Sequence, residues 1–322
     1  MKKTKKIKNN NNSFWIFFNF VVIFFCIVLF WVLGPSYFPD YPNYINAANY
    51  GYNSFFEYIP QYFLTNINFI HSPETRINFY FALTHAITFL TFITITTFYP
   101  KTSFMQALFF SFYLPFFITT ALRASIAYII AGILVPIMIN SKKNFLALIL
   151  TIFSCFFHDS GVFSILMILT FSILIFFKNL NFIRYIKLTI GLIFIFSFFG
   201  NTLDLDINLF PDIGRFNDYF NDSLNSISKL LYIYIHIGAV ILMLKNEIIS
   251  KDLQIFFLIG SLGISIVGLV NHVAAIRLLP YIMGPGFLII GEYLKKTYGS
   301  QVYIFAPIML VYLYINFIIL LF

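Results

Sequence analysis

Phe14-Trp15-Ile16-Phe17-Phe18-Asn19-Phe20-Val21-Val22-Ile23-Phe24-Phe25-Cys26-Ile27-Val28-Leu29-Phe30-Trp31-Val32-Leu33 is a stretch with one polar side chain in twenty. As a helix it measures about 30 Å, the thickness of a bilayer's hydrocarbon core. It follows Met1-Lys2-Lys3-Thr4-Lys5-Lys6-Ile7-Lys8, a basic lead that reads as a short cytoplasmic segment (residues 1–13) with the polar tract Asn9 to Asn12. The apolar run is too long for a cleaved signal and has no small-residue cleavage site, so it is expected to remain as an anchor. Comparable runs recur near 77–99, 103–121, 124–140, 144–158, 161–177, 186–200, 229–244, 253–271, 278–294 and 302–321. The chain is 60% hydrophobic and 10% charged, with mean hydropathy +0.87. A soluble domain carries roughly 25% charged residues, so lipid is the expected main solvent. The expected fold is therefore all-α: one polytopic bundle over 1–322 with about eleven membrane helices and two longer outer loops, 34–76 and 201–228.

The charges sort by loop. Starting from the five N-terminal lysines, alternate connections carry Lys101, then Lys142 and Lys143, then Lys178, Arg184 and Lys187, then Lys245 and Lys251, then Lys295 and Lys296. The positive-inside rule assigns that side to the cytoplasm. On the other side or near its boundary stand Arg76, Arg123, Arg215, Lys229 and Arg277, with nine of the 12 acids. The net charge of +8 is thus an orientation signal and gives no reason to expect a nucleic-acid partner. The two cysteines, Cys26 and Cys155, lie in different apolar runs and offer neither a disulfide framework nor metal-ligand spacing.

Binding chemistry is expected at the outer loops and the helix ends beside them. The 34–76 segment is rich in Tyr, Asn and Pro, and its semi-apolar part near 55–63 suits either an interfacial position or a fold back into the bundle. Arg123, in Thr119-Thr120-Ala121-Leu122-Arg123-Ala124-Ser125, sits between two apolar runs. It reads either as a snorkelling interfacial arginine or as a fork for phosphate. His158, in Phe156-Phe157-His158-Asp159-Ser160, closes the fifth run and suits acid/base work or a clamp on sugar or phosphate; a structural interfacial histidine is the alternative. Arg277 with His272 forms a third cationic place, and only the fold can bring it to Arg123. His85 and His236 read as histidines satisfied by neighbouring helices. Asp204-Leu205-Asp206 is weak evidence for a metal, and no phosphate loop or zinc motif occurs. No metal and no cofactor is therefore expected.

Asp40-Tyr41-Pro42-Asn43-Tyr44 after the first run, Glu57 beyond it, Leu122-Arg123-Ala124-Ser125-Ile126-Ala127 and Phe157-His158-Asp159-Ser160-Gly161 together resemble the EpsG-type branch of bacterial polysaccharide polymerases, similar to the Wzy O-antigen polymerases. The family's Asp-x-x-x-Tyr element is met by Asp40 and Tyr44. Its Arg-Gln-x-x-Ala element is approximated by Arg123, with Ala124 in the Gln place and Ala127 one residue late. Its His-x-Ser-Ala element is met by His158 and Ser160, with Gly161 for Ala. Arg215-Phe216-Asn217-Asp218-Tyr219 and Arg277 to Tyr281 are similar to its later arginine and tyrosine positions.

The resemblance implies transfer of glycan carried on undecaprenyl pyrophosphate at the periplasmic face of the inner membrane, in O-antigen, capsule or related polysaccharide biosynthesis. It implies Arg123, Arg277 and then Arg215 as groups that stabilise departing pyrophosphate. It also implies His158, Asp40 and Glu57, in that order, as candidate bases, and Tyr44 and Tyr219 as sugar contacts. The implied partners are the lipid-linked glycan, membrane lipid, a chain-length regulator and a flippase. Two other classes compete. A lipid-linked oligosaccharide flippase should carry cations deep on both sides of the midplane, and a membrane O-acyltransferase should show a cytoplasm-facing donor site or an Arg-x-x-Arg pattern beside a catalytic histidine.

Overall fold

The computed structural model describes residues 10–38, 41–51, 58–66, 72–119, 122–175, 180–199, 227–244 and 250–321. Every regular element among them is helical, and no strand occurs. We number the principal helices α1 (Asn10–Leu33), α2 (Tyr41–Tyr50), α3 (Pro73–Phe98) and α4 (Ser103–Thr119). Helix α5 is continuous through Leu122–Ile129, a widened π segment at Ile130–Leu134, and Val135–Asn140. There follow α6 (Asn144–Cys155), α7 (Gly161–Leu174), α8 (Leu180–Phe199), α9 (Ile227–Met243), α10 (Lys251–Val270), α11 (His272–Tyr298) and α12 (Ala306–Leu321). A helix thus stands at each of the eleven apolar runs, and α2 is an addition. Four helices, at Asn12–Leu33, Pro73–Phe98, Lys251–Leu269 and His272–Tyr298, are each long and apolar enough to cross a membrane.

Helix α11 is the centre, packed against α10, α9, α4 and the π segment of α5. Its crossing with α5 is a backbone-on-backbone contact. A Cβ on Gly132 would lie 2.9 Å from the Pro280 carbonyl oxygen, and one on Gly284 would overlap the carbonyl of Gly132 itself. Only glycine fits between two helices that approach this closely. By contrast α1 keeps Phe17, Phe24, Phe25 and Val32 exposed. Such a face is at home against hydrocarbon.

The lysine-bearing ends gather at one end of the bundle. Lys295 Nζ donates to the Lys101 carbonyl, Ser250 Oγ donates to Asn140 Oδ1 at 2.9 Å, and Ser103 Oγ donates to the Asn12 carbonyl at 3.4 Å. These contacts tie the lower ends of α1, α4, α5, α10 and α11 to one level. Residues 178 and 245, which the same charge pattern groups with these ends, lie outside the described residues.

The 34–76 segment folds back onto α3. Tyr44, Ala47, Ala48 and Leu64 are buried, and Arg76 in the first turn of α3 holds both halves of the segment. Its Nη2 donates to the Ala48 carbonyl at 3.0 Å and its Nη1 to the Thr65 carbonyl at 3.1 Å. Charge-assisted bonds of this kind contribute about 1.5–3 kcal/mol each. Arg76→Ala is expected to loosen the segment without unfolding the bundle. Limited proteolysis should then cut between residues 41 and 72 while α3–α12 stays intact; a cleavage pattern like the parent's would show that the clamp is dispensable.

Candidate functional site

Helix α6 is 12 residues long and α7 is 14, so neither reaches as far as its neighbours. At 1.5 Å per residue α6 lifts the turn 156–160 about 18 Å above its base at Lys143. The other two walls agree. Phe157 packs on Ile126, Ala127 and Ile130 of α5, and Ala127 stands about 20 Å above Asn140; Tyr281, which meets Ser160, stands about 21 Å above Lys295. Above that level α5 continues for about 8 Å and α11 for about 13 Å. By helix length the turn therefore lies below the starts of α5 and α11; we refer to that step as the recess, with the turn as its floor and the two starts as its rim.

The turn reverses sharply because Gly161 sits on the end of α6. A Cβ there would be 2.9 Å from Cys155 Cα and 3.1 Å from its Sγ. Ser160 occupies the N-cap place of α7 but makes no side-chain cap bond. The first N–H groups of α7 are instead taken by turn carbonyls: Gly161 N donates to His158 O, Val162 N to Asp159 O and Phe163 N to Ser160 O, at 2.9–3.1 Å. Capping by a serine contributes about 1 kcal/mol. Here the hydroxyl is turned to other partners.

Those partners form a relay. Ser160 Oγ lies 2.6 Å from His158 Nδ1 and 2.7 Å from the Tyr281 phenol, and the Ser160 backbone N–H donates to the same Nδ1 at 3.1 Å. A backbone N–H only donates, so Nδ1 must accept, and the proton of the neutral imidazole is assigned to Nε2. The consistent direction is Tyr281 O–H to Ser160 Oγ and Ser160 O–H to His158 Nδ1. His158 and Ser160 are half-buried and Tyr281 is 1% exposed. The imidazole is thereby held as a neutral Nε2–H donor, an arrangement suited to a hydrogen bond to developing negative charge and not to a base acting through Nε2.

Tyr281 is positioned by α5. The Tyr128 ring meets it edge-on at 4.8 Å, and the Tyr128 phenol donates to the Arg277 carbonyl at 2.8 Å. Pro280 removes the N–H that would have bonded to the Ile276 carbonyl and loosens the turn before it. The outer end of α11 is capped by Asn271, whose Oδ1 accepts from Ala274 N at 2.8 Å. His272 beside it is buried, and the Arg277 side chain is exposed on the rim. The 34–76 segment reaches the same place, because Ile59 N donates to the Phe156 carbonyl at 3.2 Å.

The sequence-derived residues fall as follows. Arg123 belongs to the first turn of α5, above Ala127 and hence on the rim; its side chain lies outside the described part. His158 is on the floor, about one helical turn below Arg123 rather than level with it, because α6 ends three residues earlier than the apolar run suggests. Arg277 is on the rim opposite. Tyr44 is 3% exposed, edge-on to Phe81 at 4.9 Å. Asp40, Glu57, Arg215 and Tyr219 lie outside the described residues. His85, 3% exposed, packs edge-on against Phe30 and Trp31, in line with a histidine held among helices. Burial and then the Glu74 carboxylate push the Tyr41 phenol above its ordinary value, so it stays protonated. Tyr128 and the linking role of Ser160 were not evident from sequence. Tyr128 carried no sequence signal, and Ser160 had one only as part of the His-x-Ser-Ala element. Among the described residues no three His, Cys, Asp or Glu side chains come together as a metal site would require.

These features define a class: an all-helical protein with helices fit to span a membrane, and a polar turn sunk between them near the end opposite the lysines. The chain matches no family model, no curated protein and no solved structure.

Proposed function

We propose that this chain is a polysaccharide polymerase of the inner membrane, joining glycan repeat units carried on undecaprenyl pyrophosphate. The observation that carries the reading is convergence. The start of α5 with Arg123, the His158 turn and the outer end of α11 with Arg277 are far apart in the sequence, yet they surround one recess. In this reading the eleven runs all cross or enter the membrane, the lysine end is cytoplasmic, and the recess opens to the periplasm. A turn at that depth is irregular backbone below the membrane surface, which is tolerated where it is buried in protein or lines a wet cavity.

The hydroxyl of one lipid-linked unit attacks the anomeric carbon of the growing chain as the bond from that carbon to the pyrophosphate oxygen breaks. Negative charge gathers on the departing pyrophosphate. Arg123 and Arg277 on the rim stabilise it, and the His158 Nε2–H donates to it. The relay makes His158 the donor, so the base falls to Asp40 or Glu57. The leaving group is already activated, and the reaction needs no nucleotide.

The test is a gel of surface polysaccharide from a deletion strain carrying the wild-type or the Arg123→Ala gene. Wild type should restore the long-chain ladder. Arg123→Ala should leave single repeat units on the core, with a rate loss of about 100-fold and normal amounts of protein in the membrane. Loss of every repeat unit in the deletion strain would point to an earlier step such as flipping, and an unchanged ladder would favour acyl transfer to the glycan.

A further inference from the structure

A second feature lies on the opposite flank, away from the recess. Helices α8 and α9 run antiparallel and leave a groove of about 320 Å³ between them. Its lining residues pair by level: Phe194 with Tyr234, Gly191 with Gly238, and Lys187 with Ile241. The Phe194 and Tyr234 rings are 4.6 Å apart and close the upper end. Below them the two glycines open the gap. Neither is there for close packing, because a Cβ on Gly191 or on Gly238 would meet nothing within 4 Å. Glycine in a helix interior costs about 1 kcal/mol relative to alanine, so two facing glycines with nothing against them mark space kept for something else.

Lys187 stands at the lower end of the groove. It is half-buried, about 10 Å into α8 from Leu180, and no carboxylate pairs with it among the described residues. An ammonium on an apolar helix is costly unless something compensates it. Arg184, one turn nearer the lysine-rich end of the bundle, is exposed and adds a second cation at the same mouth. Between helices near the cytoplasmic face, basic mouths of this kind receive anionic lipid headgroups.

We propose that the α8–α9 groove is a binding site for an anionic phospholipid of the cytoplasmic leaflet. The headgroup phosphate pairs with Lys187 and Arg184, and one acyl chain lies over Gly191 and Gly238 as far as the Phe194–Tyr234 closure. The argument rests on the membrane setting of the apolar helices and not on the glycan reading, so either can fail alone.

The test is native mass spectrometry of the full chain in detergent, given equal amounts of phosphatidylglycerol and phosphatidylcholine with the same acyl chains. Wild type should retain phosphatidylglycerol preferentially. Lys187→Gln should lower that preference about fivefold, the equivalent of roughly 1 kcal/mol for one cation at the membrane surface. Gly191→Leu should lose both lipids while keeping the parent's melting temperature, since its Cβ enters open space. Equal retention of the two lipids by wild type would overturn the proposal, as would a preference unchanged in Lys187→Gln. Displacement of phosphatidylglycerol by an equal amount of a polyprenyl phosphate would overturn the choice of occupant. If Gly191→Leu fails to fold, Lys187→Gln decides alone.

Discussion

Gly284→Ala is expected to leave almost no folded protein that survives detergent extraction, although it adds a single methyl group. At the crossing of α5 and α11 that methyl would coincide with the carbonyl of Gly132, and a backbone atom has no rotamer through which to retreat. Overpacking costs about 1–3 kcal/mol where side chains can give. Here two helices must part along their length, and the cost should exceed about 4 kcal/mol, among the largest single-residue effects. That is a large share of the 5–15 kcal/mol typical of a folded domain. Gly191→Ala, made in the same way at a position with open space, is the control and should be neutral or slightly stabilising. The measurement is the fraction of protein running as a single peak in detergent, with its thermal midpoint. A Gly284→Ala protein as stable as the control would mean that α5 and α11 do not cross here.

His158→Asn is expected to lower polymer formation by about 100- to 1,000-fold, the range for losing one donor to developing negative charge, while His158→Gln retains more. The difference follows from the relay. Gln carries its amide nitrogen out to about the reach of Nε2, where the donor is needed, whereas Asn places its amide near Nδ1 and competes for Ser160. If Asn proved the better replacement, Nδ1 would be the working atom and the assigned tautomer would be reversed. Thermal midpoints of both variants separate this from a packing defect, because the Gly161, Val162 and Phe163 N–H bonds of the turn go to backbone carbonyls and not to the imidazole.

The fold was legible in the sequence because lipid imposes a simple code: apolar runs of fixed length, with lysines between alternate pairs. Helices stand at all eleven runs, and contacts such as Lys295 to Lys101 join the ends that the charges had grouped. What the code does not encode is helix length to within a turn. Phe156 and Phe157 are as apolar as the helix before them, so the run through 144–158 gave no sign that α6 stops at Cys155; Gly161, pressed against Cys155, is what decides it. The site was partly legible for the same reason. A charged or titratable residue beside an apolar run is conspicuous, which is how Arg123, His158 and Arg277 were found. Tyr128 was not conspicuous among 21 tyrosines, and Tyr281 was marked by the resemblance alone, because their importance lies in contacts across 149 and 121 residues that no local pattern announces.

The shortness of the α6–α7 hairpin also sets an order of events during synthesis. Twelve- and fourteen-residue helices are too short to settle across a bilayer independently, and the polar turn between them lacks its Tyr281 partner until α11 arrives. At a synthesis rate of about 5–20 residues per second, the 121 residues between Ser160 and Tyr281 take roughly ten seconds to make. On the proposed reading the chain is embedded during that interval yet lacks the Tyr281 end of its relay, and the turn must be sheltered by the insertion machinery or by water. Premature chain ends before α11 would therefore leave a protein that is inactive and also exposed at its weakest point, a natural target for membrane quality control.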